Sequence, residues 1–387
     1  MQTRVAIPSK PKDPPSGSLG ALAWAHFLND GYINYLPAIL PVLLEQLNIP
    51  LALVGSLILA IQGFGSLLQP MLGWWADRVG GRRFTLIGLA LSAVGASLIG
   101  LAPSYWVLLV LLAVAGLGNS IFHPQTLAAA RSLSSSRHGL RMSFFLIGGE
   151  VGRGVWPSLA SLLVVWLGLH GLWLLALPGL VTVLLLGRAT PVLAPQPVGN
   201  FRDAFSSQGS QVLALVAFVG LRGATTYGVS TFVPLLWRAK GGSLLGGASL
   251  ISVMLLVGIL GNLFGGFVVD RVGRRPVLLA SSLFSAIFLA LFMMVHGPWL
   301  WVALGLLGVA SFATAPVTML IGQDLFPRSR SLGSGMALGM GNALGTVVVL
   351  VLGFVAAGYG LEAPLWWIAA LSLLGIPFAL LLTRSSE

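Results

Sequence analysis

The sequence predicts an all-α membrane protein in which twelve transmembrane helices form two six-helix bundles, a 6+6 pseudo-repeat. Three observations indicate this fold class: a strongly apolar composition, twelve apolar segments of spanning length, and a motif that occurs once in each half. Helices are required because a chain that crosses lipid must satisfy its backbone hydrogen bonds internally. The segments are also too long and too uniformly apolar for the strands of a barrel.

The composition excludes a soluble protein. Of the 387 residues, 56% are hydrophobic and only 8% are charged, and the mean hydropathy is +0.94. Soluble domains carry about 25% charged residues. The net charge of +11 would suggest nucleic-acid binding in a soluble chain, but here the basic residues lie between apolar segments. We therefore expect the lipid bilayer as a partner and no nucleic acid.

The absence of cysteine excludes disulfides and zinc–thiolate sites.

Twelve apolar segments have about the 20 residues that a spanning helix needs. They are residues 20–44, 52–76, 84–101, 106–130, 139–166, 169–187, 210–237, 243–269, 276–296, 299–325, 331–357 and 364–383. All lysines and arginines except Arg153, Arg222, Arg238 and Lys240 lie in the even-numbered loops or near the chain ends. By the positive-inside rule, we expect both termini in the cytoplasm and a multi-pass protein of the cell inner membrane.

The two halves of the chain share a motif. The pattern Gly-x-x-x-Asp-Arg-x-Gly occurs at residues 73–80 and again at residues 266–273, each time at the end of the second span of its half. A parallel repeat of this kind is typical of transporters that bind substrate between two similar bundles. We therefore predict a cytoplasmic tail, a first bundle, a cytoplasmic linker and a second bundle. Their ranges are 1–19, 20–187, 188–209 and 210–387.

The doubled motif resembles the cytoplasmic signature of the major facilitator superfamily. A narrower set of motifs is similar to the fosmidomycin-resistance type of drug exporter. These motifs are His26-Phe-Leu-Asn29-Asp30, Ser66-Leu-Leu-Gln69-Pro70, Gly118-Asn-Ser-Ile-Phe122-His123-Pro124, Arg137-His138-Gly139-Leu140 and Gly148-Gly149. The resemblance implies proton-coupled efflux of a small drug. The fifth span departs from the family pattern at Glu150, Arg153 and Trp156, so the resemblance does not fix the substrate.

Four charged residues lie far from the ends of any span: Asp30, Glu150, Arg153 and Arg222. A charge at a helix centre costs about 2.5–3.5 kcal/mol on insertion scales and usually marks a transport or proton pathway. We expect Glu150 and then Asp30 to carry the proton, because burial favours a neutral acid and a nearby arginine favours the charged one. The structural alternative is internal pairing, of Glu150 with Arg153 at (i, i+3) and of Asp30 with His26.

Further polar groups are expected to line the substrate pathway. Together with the two buried arginines, these groups form the predicted substrate-binding set, which is Arg153, Arg222, His26, His123, Asn119 and Asn342. Arg153 and Arg222 would reach into one site from opposite halves and bind an anionic, phosphonate-like group through paired hydrogen bonds. Alternatively, they only neutralise the two carboxylates, and the histidines only pack helices. No metal site is expected, because the spacing of these residues along the chain is not that of a ligand set.

The doubled motif also predicts a cytoplasmic gate. Its expected residues are Asp77, Arg78, Arg82, Asp270, Arg271, Arg274 and Asp324. In the family fold each motif aspartate approaches the start of a helix in the other half, where the positive helix end stabilises a carboxylate. Asp324 is expected to pair with Arg271 or Arg274. Arg131 stands at the equivalent place in the first half, so the two latches should be unequal. The alternative for the arginines is plain positive-inside topology.

These features together predict a secondary transporter that exports a small, drug-like and anionic compound in exchange for protons. The alternative within transport is a proton symporter for uptake of a small anionic metabolite. An intramembrane enzyme or a receptor is disfavoured, because the sequence offers no nucleophile–base constellation and neither class explains the repeat. No cofactor is expected, and the proton gradient supplies the energy because no ATP-binding Gly-x-x-x-x-Gly-Lys-Ser/Thr motif occurs. We expect a monomer.

Overall fold

A computed structural model describes residues 18–79, 83–133, 138–189, 209–326 and 339–383. Within these ranges the regular structure is entirely helical. The α-helices, numbered along the chain, are α1 Ser18–Asn34, α2 Leu36–Gln46, α3 Val54–Ile58, α4 Phe64–Val79, α5 Arg83–Ser97, α6 Tyr105–Ser132, α7 His138–Leu167, α8 Ala176–Ala189, α9 Gly209–Ala239, α10 Leu244–Val272, α11 Arg274–Met294, α12 Trp299–Phe312, α13 Ala315–Leu325, α14 Gly341–Tyr359, α15 Ala363–Leu373 and α16 Gly375–Leu382.

Ten helical stretches within the described ranges are long and apolar enough to cross a membrane. The other two predicted spans are also helical. The first divides into α1 and α2, and the fifth is the 30-residue α7, whose apolar character is reduced by Glu150 and Arg153. The all-helical membrane class is therefore confirmed. The total of twelve spans and the 6+6 division remain predictions.

The break in the first span has a local cause and a local repair. Pro37 follows the break at Tyr35, and a proline ring cannot coexist with a helical carbonyl four residues earlier, here that of Ile33. The side chain of Gln62 donates to this carbonyl at 3.1 Å and to Oδ1 of Asn34 at 3.3 Å. Gln62 belongs to a π-helical turn, Leu59–Gly63, between α3 and α4. A side chain from the π-helical turn of the second span thus satisfies the carbonyl of Ile33, which the proline in the first span leaves without a helical partner.

The two halves of the chain repeat the same helix pairings. Helix α1 packs on α7, and α9 packs on α14 in the same relation; α5 packs on α6 as α11 packs on α12. Between the halves, α7 packs on α10, α3 packs on α14, and α2 packs on α9. These contacts join the fifth span to the eighth, the second to the eleventh and the first to the seventh.

The halves make close contact on the side opposite the arginine-rich loop between α10 and α11. There Gly55 allows α3 to approach α14 so closely that a Cβ at this position would overlap the backbone of Leu350. A cavity of about 10 Å³ remains between α1, α2, α9 and α10, lined by Asn34, Gln62 and Thr226 among others. It has room for about one water molecule. Among the described residues, the space between the two halves is therefore closed at the level of this cavity.

Candidate transport site

A cluster of three titratable side chains lies between α1 and α6. Helix α1 places His26 and Asp30 one turn apart, and α6 places His123 opposite them. The distance from His26 Nε2 to Asp30 Oδ2 is 3.5 Å, and that from His123 Nε2 to Asp30 Oδ1 is 3.2 Å. The predicted contact of Asp30 with His26 is thus present, and His123 joins it. Asp30 and His26 are buried, whereas the side chain of His123 is 29% exposed, so the cluster has one accessible edge.

Asn29 connects this cluster to the next turn of α6. Its Nδ2 donates to Oδ1 of Asn119 at 2.7 Å and to Oδ1 of Asp30 at 3.3 Å. Asn119, which was predicted to line the pathway, also offers its backbone carbonyl to His123 Nδ1 at 3.2 Å. Sequence reasoning missed the role of Asn29. Its position beside Asp30 in an otherwise apolar span was the available signal.

A second polar network joins the two halves of the chain. Nη1 of Arg153 lies 3.2 Å from both carboxylate oxygens of Glu150, so the predicted (i, i+3) pair is present on α7. Asn262, on α10 of the other half, donates from Nδ2 to Glu150 Oε1 at 3.3 Å. The guanidinium carbon of Arg153 lies 5.4 Å from the ring centre of Phe312 on α12. Neither Asn262 nor Phe312 was predicted, because a pairing of two spans does not determine which side chains meet across it.

Arg222 has a different environment from Arg153. It lines a cavity of about 20 Å³, and its Nε is buried without a hydrogen-bond partner among the described residues. The remaining lining residues are mostly hydroxyl-bearing and come from α9, α11, α12, α15 and α16. They are Phe218, Leu221, Thr225, Ser281, Ser282, Ser285, Ser311, Ser372 and Gly375. This cavity lies within the second half, while Arg222 is also within electrostatic range of Arg153, so the prediction that the two arginines reach into one site from opposite halves stays a prediction. Asn342, on α14, lies next to Gly223.

The mid-membrane charges therefore divide into three sets. Asp30 contacts two histidines, Glu150 contacts Arg153, and Arg222 has no carboxylate within salt-bridge distance among the described residues. Arg222 nevertheless lies within electrostatic range of Glu150 and Arg153. The alternative in which both arginines serve only to neutralise the carboxylates accounts for Arg153 but not for Arg222. A membrane-buried cation without a partner marks a binding or transport pathway.

Part of the predicted gate can be described. Arg274 Nη2 lies 2.6 Å from Asp324 Oδ2, which is the second of the two pairings predicted for Asp324. Arg271 instead lies over the ring of Phe267, at 4.1 Å from its centre, and Asp270 is exposed at the end of α10. Arg82 and the side chains of Asp77, Arg78 and Arg131 lie outside the described residues. The first copy of the motif thus stays a prediction.

A multi-span helical protein with repeated helix pairings and a polar network at the junction of its halves has the architecture of a membrane transporter rather than an enzyme. The family model of the Major Facilitator Superfamily matches residues 22–258 and 213–387. The chain belongs to this superfamily.

Several known proteins are similar to this one. It is 27% identical over 370 residues to the fosmidomycin resistance protein of Escherichia coli, covering 93% of this chain and 91% of the relative. It is 25% identical over 308 residues to the multidrug resistance protein MdtG of Enterobacter lignolyticus, covering 75% and 73%. The crystal structure of a mutant of the nucleoside transporter NupG matches with a TM-score of 0.79 at 16% identity, covering 95% of this chain and 99% of that one.

The Glu150–Arg153 pair should be detectable as a thermodynamic coupling. Replacing Arg153 with Gln leaves the partly buried carboxylate of Glu150 without its strongest partner, which costs about 1–3 kcal/mol. In the Glu150→Gln/Arg153→Gln double variant neither charge remains, so most of this loss should be recovered. Thermal unfolding of the purified proteins in detergent measures both effects. A double variant less stable than Arg153→Gln would contradict the pairing.

Proposed function

We propose that this protein is a proton-coupled secondary transporter, an efflux antiporter for a small, drug-like anionic compound, and that it works by alternating access. The observation that carries the proposal is the network in which Glu150 accepts hydrogen bonds from Arg153 on its own helix and from Asn262 on α10. A titratable group at the junction of two helix sets can couple its protonation to their relative position. A buried charge elsewhere in the bundle could not act on that junction directly.

The proposed coupling follows from hydrogen-bond chemistry. The carboxylate of Glu150 can only accept hydrogen bonds, and Arg153 and Asn262 both donate to it. A proton on Glu150 removes the charge that attracts Arg153 and occupies one acceptor oxygen. The contact between α7 and α10 then weakens, and the guanidinium of Arg153 becomes available to an anionic substrate. His26 and Arg222 also lie within electrostatic range of Glu150.

Asp30 was the second residue expected to carry a proton. Its two carboxylate oxygens already contact His26 and His123, so Asp30 belongs to a separate cluster that makes no hydrogen bond to the other half among the described residues. The proton coupling proposed here therefore rests on Glu150 alone.

The proposed substrate is anionic because of the arginines. Arg222 has no carboxylate partner among the described residues, and Arg153 loses its partner when Glu150 is protonated. Arginine binds phosphonate and carboxylate groups through two parallel hydrogen bonds, which are strong in a poorly hydrated cavity. The similarity to a fosmidomycin resistance protein and to a multidrug resistance protein supports export of a small drug-like molecule.

The wider organisation is proposed on the same grounds. We infer twelve spans in two bundles, 20–187 and 210–387. Both termini would lie in the cytoplasm, because arginine accumulates in the even-numbered loops. We further propose that the protein is a monomer of the inner membrane. The doubled motif would gate the cytoplasmic side. The ion pair between Arg274 and Asp324 supports this role for the second copy of the motif.

The proton coupling can be tested by replacing Glu150 with Gln. This variant should still bind substrate but lose transport driven by an imposed pH gradient, because the amide keeps the shape of the side chain and cannot carry the proton. Flux of fosmidomycin, a phosphonate, into proteoliposomes measures the coupling. Glu45→Gln is the matched control, because it makes the same change on an exposed part of α2. A wild-type flux in the Glu150 variant would remove this residue from the proton pathway.

The charge of the substrate can be tested at Arg222. Arg222→Ala should weaken binding of fosmidomycin by about 10-fold or more, because a hydrogen bond to a charged group is worth about 1.5–3 kcal/mol. Arg222→Lys should have an intermediate effect, since lysine keeps the charge and loses the planar fork. Binding of the neutral phosphonate diester should be nearly unchanged. Arg238→Ala, at an exposed position, serves as the control. If the acid and its diester bind wild-type protein equally well, the anion hypothesis is wrong.

A further inference from the structure

The cluster of His26, Asp30 and His123 is not used by the proposed transport chemistry. Each of these residues offers one ligand atom, and the three atoms all lie within 4.8 Å of one another. The sequence analysis expected no metal site from these residues, because His123 is separated from the other two by about half of the predicted first bundle. The fold brings the residues together by packing α6 against α1.

The hydrogen bonds made by Nδ1 of each imidazole indicate which ring nitrogen carries the hydrogen and which one presents a lone pair to Asp30. His26 Nδ1 lies 3.0 Å from the carbonyl oxygen of Phe145, and His123 Nδ1 lies 3.2 Å from that of Asn119. A carbonyl can only accept, so each Nδ1 carries a hydrogen. In the neutral imidazoles both Nε2 atoms then present lone pairs to the carboxylate of Asp30. Three electron-pair donors converge on one point, and a cation placed among them satisfies all three.

The chemistry of the donors fits one particular kind of cation. Zinc binds imidazole nitrogen at about 2.0–2.1 Å and carboxylate oxygen at about 2.0–2.2 Å in tetrahedral geometry, so two of its ligand atoms lie about 3.3 Å apart. His123 Nε2 lies 3.2 Å from Asp30 Oδ1, His26 Nε2 lies 3.5 Å from Asp30 Oδ2, and one ligand atom from each residue lies within 4.8 Å of the others, so binding needs only small side-chain shifts. Two nitrogens and one oxygen suit Zn²⁺ and similar transition metals, whereas Mg²⁺ and Ca²⁺ prefer oxygen ligands alone.

The surroundings hold the ligands in place. Metal-bound histidines almost always donate their other ring nitrogen to a carbonyl or carboxylate, as both histidines do here. The ring of His26 stacks on Phe145 with centres 4.4 Å apart and meets His123 edge-on at 5.2 Å, which restricts its rotation. The nearest other charges, Glu150 and Arg153, neutralise each other, so the cluster with neutral imidazoles carries one negative charge.

The geometry points to a transition-metal site: we propose that His26, Asp30 and His123 bind one Zn²⁺ ion between α1 and α6. The partly exposed edge of His123 gives the ion access and leaves its fourth position for water. The site shares no residue with the Glu150–Arg153–Asn262 network, so the proposal does not depend on proton coupling or on the direction of transport.

The test is zinc binding to the full-length protein purified in detergent and stripped with a chelator. Titration calorimetry with Zn²⁺ alone should give one site per chain, and X-ray absorption should show two imidazole nitrogens at about 2.0–2.1 Å. His123→Gln should weaken binding at least about 10-fold. His296→Ala removes an exposed histidine and should leave the affinity unchanged.

Two results would overturn the proposal. One is a wild-type protein that binds no zinc at concentrations up to 0.1 mM, roughly the weak limit for a useful site on the affinity scale. The other is zinc that binds equally well to the wild type and to His123→Gln. The X-ray absorption measurement uses only wild-type protein, so it decides the question even if a variant fails to fold. A spectrum without imidazole scattering contradicts the site.

Discussion

The structure depends on the cost of placing charge in a low-dielectric medium. A charged side chain within a span is tolerated only when it is paired, hydrogen-bonded or faces a cavity. The first half meets this constraint with two arrangements, Asp30 between two histidines and Glu150 beside Arg153. Arg222, in the second half, has a small cavity lined with hydroxyl groups instead of a carboxylate. This asymmetry in a chain with a repeated motif places both membrane-buried carboxylates, Asp30 and Glu150, in the first half, and in the second half a cation that has no carboxylate partner among the described residues.

The same constraint connects the charges to the helix packing. Each of the two buried carboxylates contacts a group from another helix: Asp30 contacts His123 on α6, and Glu150 accepts from Asn262 on α10. Relative movement of these helices therefore changes the solvation of the charge, and neutralising the charge changes the preferred helix position. Coupling between an ion and a conformational change needs this kind of reciprocity. The Glu150 network is the one that spans the junction between the halves, whereas the Asp30 cluster ties together helices of a single half.

Much of the fold could be predicted from the sequence, and less of the site. Apolar segment length predicted the helical class, because it depends on local composition, and the repeated motif indicated an internal symmetry that the repeated helix pairings reflect. The pairs of Glu150 with Arg153 and of Asp30 with His26 were predictable because they lie one turn apart on one helix. Asn262 and the contact of His123 with Asp30 were not, since they depend on how separate helices pack. The cavity beside Arg222 was missed for the same reason.

We propose that protonation of Glu150 in the Glu150–Arg153–Asn262 network lets the two halves of the chain move relative to one another as rigid bodies. The chain contains no cysteine, so pairs of spin labels can be introduced cleanly. One pair, at Asn48 and Tyr359, reports the side opposite the arginine-rich loops; the other, at Phe144 and Val272, reports the arginine-rich side, and all four positions are exposed. Distances measured by electron–electron resonance while the pH is lowered should lengthen for the first pair and shorten for the second. Distances that stay fixed across the pH range, or that change in the same direction on both sides, would contradict the account.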